Sequence, residues 1–81
     1  MAMKERAQRV LATVENDLLA AKRRRDEIES AIAMLANAGV SDDLLNPLRY
    51  EYEQAKEEVT DELMHRMLIR AGMREHCWLD A

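Results

Sequence analysis

Four consecutive basic residues, Lys22, Arg23, Arg24 and Arg25, stand inside "AAKRRRDEIESAI". Guanidinium forks at that density suit bidentate contacts to phosphate. A second candidate is "ELMH", where Glu62 and His65 stand three apart. On a helix, side chains at that spacing share a face and can both reach one metal ion. A third is "HCW", but His76 and Cys77 are adjacent, unlike the ligands of metal fingers. Nucleophilic catalysis by the thiol would ask for a base, an orienting group and a formed pocket. The sequence offers no such set, and no glycine-rich phosphate loop.

The Glu-x-x-His spacing of Glu62 and His65 resembles that of ferritin-like di-iron families, including short two-helix members that build the site by dimerisation. The resemblance implies a bridging glutamate on the facing helix. Opposite these two residues the pairing derived below sets Leu18 and Ala21, and the nearest acids, Glu15 and Asp17, lie off that stripe. The ligand set is therefore incomplete, and neither a metal centre nor another cofactor is expected. The ordinary account of Glu62 and His65 is a surface pair.

The balance of charge narrows the classes further. The net charge of −4 conceals three regions. Residues 1–25 hold seven basic and three acidic groups, residues 26–62 two and eleven, and residues 63–81 three and two. An acidic pI of 5.1 and an acid-rich centre argue against a duplex nucleic acid partner. Cys77 is the only cysteine, so no disulfide holds the 81-residue chain. One thiol, no secretory signal and no apolar run near 18 residues point to a soluble, cytoplasmic, reducing setting without a membrane.

The elements that position these residues are helices. Glycine is confined to Gly39 and Gly72 and proline to Pro47, while Ala, Leu, Glu, Arg and Met dominate. Ala7, Leu11, Val14, Leu18, Ala21, Arg25, Ile28, Ile32 and Leu35 recur in steps of four and three, a heptad stripe with one polar member. The spacing predicts a helix over about 4–37, roughly 50 Å long. Gly39 suits its left-handed cap. Ser41 reads as an N-cap with Asp42 and Asp43 in the first turn, and Pro47 as a second start. The expectation is a loop with a short helical turn over 38–46, a helix over about 47–72 stopped at Gly72, and a tail over 73–81. In the second helix Leu48, Tyr52, Ala55 and Val59 keep the heptad. Beyond Val59 two stripes compete: Leu63 and Met67, or Glu62, Arg66 and Ile69.

The resulting fold class is all-α, a coiled-coil-like antiparallel hairpin expected to assemble into a four-helix-bundle dimer or larger helical oligomer. Antiparallel pairing gathers Lys4, Arg6, Arg9, Arg66, Arg70 and Arg74 at the open end and the acids at the loop end. It brings Arg25 near Glu58, Val59 and Glu62, so Arg25 and Glu62 are expected as a polar seam pair that sets register at some cost in stability. Lys22, Arg23 and Arg24 spread round the helix. Seven of the eleven residues 63–73 are apolar, more than one hairpin can bury. Met64, Met67, Leu68, Ile69, Met73, Trp78 and Leu79 are accordingly the candidate interface.

The function expected is that of a small non-enzymatic interaction protein, an adaptor, inhibitor or regulator. Its partners would be itself and another protein. The alternative is an oligomer that binds or sequesters a nucleotide-like anion through Lys22, Arg23, Arg24, Arg66 and Arg70.

Overall fold

The computed structural model describes residues 2–78. Two helices fill this stretch, α1 over Ala2–Asn37 and α2 over Asp42–Glu75. They lie side by side, antiparallel, in a rod of 57 × 20 × 14 Å. The fold is an all-α helical hairpin, drawn out along its axis.

Helix α1 turns the heptad stripe inward. Leu18 and Ala21 are buried, and Lys4, Ala7, Leu11, Val14, Arg25, Ile28 and Ile32 are half-buried. Leu35, the last member, is exposed near the turn. From α2 the inward residues are Leu45, Leu48, Tyr52, Ala55, Val59, Glu62, Arg66, Ile69 and Met73, all buried or half-buried. Their steps of three and four run without a slip. The competition beyond Val59 is thus decided for Glu62, Arg66 and Ile69, and Leu63 and Met67 stand outside at 37% and 58% exposure. A rigid helix cannot change phase halfway, so the register set by Leu45 to Val59 carries two charged residues into the seam. Both are half-buried and not fully buried, so each charged side chain keeps part of its surface in water.

Backbone hydrogen bonds close the turn on both sides. Gly39 has φ +85, the left-handed conformation. The Gly39 N–H donates to the Ala36 carbonyl and the Val40 N–H to that of Leu35, both at 3.1 Å. These two bonds form a Schellman cap. Val40 is also the residue before the N-cap Ser41, and Leu45 stands at the fourth helical position. This is the sequence pattern of a hydrophobic staple, and Leu45 is only 1% exposed. The Ser41 carbonyl accepts from the N–H groups of Leu44 and Leu45 at 3.1 Å. Its hydroxyl makes no capping bond.

Two boundaries differ from the sequence reading. Helix α2 runs unbroken through Pro47, where a turn at 42–45 and a fresh start at 47 were expected. Pro47 lacks the N–H that would bond the Asp43 carbonyl, which costs one bond early in the helix. A break there would rotate Leu45 out of the seam it fills, and burial of Leu45 outweighs the missing bond. At the other end α2 passes Gly72 and stops at Glu75. Met73 extends the inward stripe and is 3% exposed, so packing carries the helix one turn beyond the glycine. The cap is a second Schellman motif. The Trp78 N–H donates to the Met73 carbonyl at 2.8 Å and the Cys77 N–H to that of Arg74 at 3.0 Å. Here the left-handed position is taken by Cys77, with φ +58.

Candidate functional site

Three sets of side chains were candidates, and the hairpin places them differently. The basic run sits at mid-rod and does not converge. Arg24 reaches across to α2, with its Nη1 3.0 Å from Glu58 Oε2, each side chain about half exposed. Arg25 turns to its neighbour, with Nε 3.0 Å from Asp26 Oδ1. Lys22 is half-buried beside the seam and Arg23 points outward. The expected Arg25–Glu62 pair is not among the ion pairs of the described residues. Arg24, one residue earlier, takes the Glu58 carboxylate, and Glu62 lies one turn further along α2, with His65 as its ionic neighbour.

Glu62 and His65 are joined only loosely, Oε2 to Nδ1 at 3.9 Å. Glu62 leans into the seam while His65 is exposed. No group of three or more His, Cys, Asp or Glu side chains suited to a metal ion occurs among the described residues. No described helix is long and apolar enough to cross a membrane.

The open end holds the third set. Arg6, Arg9, Arg70 and Arg74 are exposed and Lys4 half-buried. Arg66 was grouped with them but lies in the seam, half-buried, because the heptad phase turns it inward. Trp78 folds back on this end. It lines a shallow cleft with Ala2, Met3 and Lys4, and its ring stacks on His76 with centroids 4.5 Å apart. Cys77 is exposed.

Of the expected interface residues, Met64, Met67 and Leu68 are exposed, by 52%, 58% and 61%. Ile69 and Met73 are spent inside the hairpin, since both continue the inward stripe. Leu79 lies outside the described residues. Leu63, from the stripe left outside, and Leu19 on α1, which the sequence reading does not mark, are also exposed. Met3 and Val10 are exposed toward the open end, while Met34, Leu44 and Tyr50 are exposed toward the loop. Their signal was present in the sequence as apolar residues off the heptad stripe.

Near mid-rod the charges are paired locally. Lys56 Nζ lies 2.9 Å from Glu53 Oε1 and 4.9 Å from the Tyr52 ring centroid. The hydrogen bond to Glu53 raises the Lys56 pKa above the ordinary 10.5. Arg49 ties Asp42 at 3.2 Å and bonds Asn46 Oδ1 at 3.4 Å. Both ion pairs are exposed and lie within α2, and Lys56 also lines a shallow cleft with Arg25, Asp26, Glu29 and Tyr52.

The arrangement offers an amphipathic, charge-sorted rod: acidic toward the loop, basic at the open end, and apolar on the outside of α2 between them. In comparisons with known proteins, no family model, no curated protein and no solved structure matches the chain.

Proposed function

We propose that the chain is a non-enzymatic interaction protein, an adaptor, inhibitor or regulator, that assembles as a small helical oligomer such as a four-helix-bundle dimer and holds a second, acidic protein at its basic end. One observation carries this reading: Met64, Met67 and Leu68 are exposed together beside Arg70 and Arg74. Apolar surface rimmed by charge marks association sites. The thinness of the hairpin's own core supports it. Leu18, Ala21, Leu45, Ala55, Val59 and Met73 are the buried apolar residues among those described. A chain this short gains by burying more.

The test of the acidic partner uses bases outside both the seam and the outer stripe of α2. Arg6→Glu and Arg9→Glu, both on α1, are combined in one variant and compared with the parent in affinity capture. Helix content and oligomer mass are expected to stay, and captured acidic proteins to be lost. Identical capture by both proteins removes the basic end from the reading.

A further inference from the structure

Helix α2 carries two heptad stripes. The inner one pairs with α1. The outer one runs Glu57, Thr60, Met64, Met67, Ala71 and Arg74, again in steps of three and four. All but Ala71 are exposed, and Ala71 is half-buried. A helix patterned on opposite faces is built to lie between two neighbours, and α1 supplies only one.

The charge along α2 says what the second neighbour is. Residues 51–62 hold six acids and one base, and residues 63–75 three bases and one acid. A second copy of α2 laid antiparallel sets the acidic segment of each chain on the basic segment of the other. A parallel copy would set acid on acid. In the antiparallel register Met64 packs on Met67 of the partner subunit, Thr60 on Ala71 of the partner subunit, and Glu57 meets Arg74 of the partner subunit. By symmetry each contact occurs twice. Leu63 and Leu68 close the flanks. Glu57 and Arg74 have no ion pair within the chain among the described residues, so both are free to make this one.

We propose that two copies of the chain pair through the outer face of α2, antiparallel and staggered about a two-fold axis near residues 65 and 66. This rests on the assembly part of the function proposed above and gives it a geometry. The axis lies near the open end, so the loop ends project at opposite poles. The dimer is about 75 Å long, against 57 Å for one hairpin.

Cys77, exposed and the only thiol, reports on this geometry directly. Spin labels attached there are expected about 35 Å apart in the staggered dimer, from about 1.5 Å per residue along the helix. A fully overlapped antiparallel bundle gives about 55 Å, and a parallel pair about 10–15 Å. Charge reversal supplies a second measurement. Glu57→Arg and Arg74→Glu are each expected to weaken dimerisation about five- to tenfold at low salt, and the double variant to recover to within about threefold of the parent. Circular dichroism checks that each variant keeps its helix content. A distance near 35 Å with recovery in the double variant supports the pairing. A dimer at another distance, or a double variant as weak as the singles, overturns the pairing and leaves assembly standing. A monomer at 100 µM overturns both, and leaves capture of an acidic protein to be judged by its own variant.

Discussion

At the scale of single residues, the two helix ends make a controlled comparison. Both stop in a Schellman motif, one with Gly39 in the left-handed position and the other with Cys77. A side chain there crowds the following carbonyl, and glycine escapes that crowding. Cys77→Gly is therefore expected to stabilise the hairpin by about 0.5–1 kcal/mol, and Gly39→Ala to destabilise it by about 1 kcal/mol. Urea denaturation of the two variants checks both signs. The space around Gly39 is open, so a clash with neighbours is not the cause of the second effect. Arg24 and Arg25 differ in the same instructive way. The Arg24–Glu58 pair is about half exposed, and such pairs contribute about 0–1 kcal/mol. Arg24→Ala should shift stability by no more than that. Arg25 occupies an inward position, and Arg25→Leu is expected to raise stability by about 1 kcal/mol by filling the seam. If the charge serves register, the same variant will broaden its amide spectrum as alternative pairings become populated.

At the scale of the elements, α2 is shaped by its packing against local preference. It absorbs Pro47 near its start and Gly72 near its end, both poor helix residues. Leu45 and Met73 are the buried residues that hold these two regions in place. Pro47→Ala restores a donor to the Asp43 carbonyl and is expected to raise the melting temperature, with a gain of about 1 kcal/mol or more. Leu45→Ala empties the most enclosed large side chain in the hairpin. Such truncations cost about 2–5 kcal/mol, a large share of the stability of any small fold. Thermal melts followed at 222 nm are expected to show that variant largely unfolded at 37 °C. An intact variant would mean that the turn is held by its backbone bonds alone.

At the scale of the whole molecule, the rod is a charge dipole with an apolar band on one helix. Self-pairing and capture of an acidic protein draw on the same separation of charge. Added salt is therefore expected to weaken both, because exposed charges are screened over about 10 Å at 0.1 M ionic strength. The apolar Met64–Met67 contact should persist, leaving a residual dimer at 0.5 M sodium chloride. Sedimentation at low and high salt measures the two contributions. A dimer constant indifferent to salt would assign the pairing to apolar burial alone.

The inward face of α1 was legible without coordinates. From Ala7 to Leu35 its heptad spacing never slips, and a rigid helix with one apolar stripe has one way to turn. The hairpin and the sorting of charge to its two ends follow from that helix, the short turn and the antiparallel return. The second half of α2 was not legible in the same way. Its outward residues, Leu63, Met64, Met67 and Leu68, are more apolar than Glu62 and Arg66, which face α1. Hydrophobicity alone ranks the wrong stripe as the inner one. Only the packed hairpin resolves this, because Leu45, Leu48, Tyr52, Ala55 and Val59 set the rotation of the whole helix against α1. The helix carries that rotation forward and leaves the apolar residues outside, where the candidate interaction surface lies. The ion pairs were equally a matter for the tertiary structure: Glu58 takes the exposed Arg24 at the flank of the seam, and the inward Arg25 turns to Asp26.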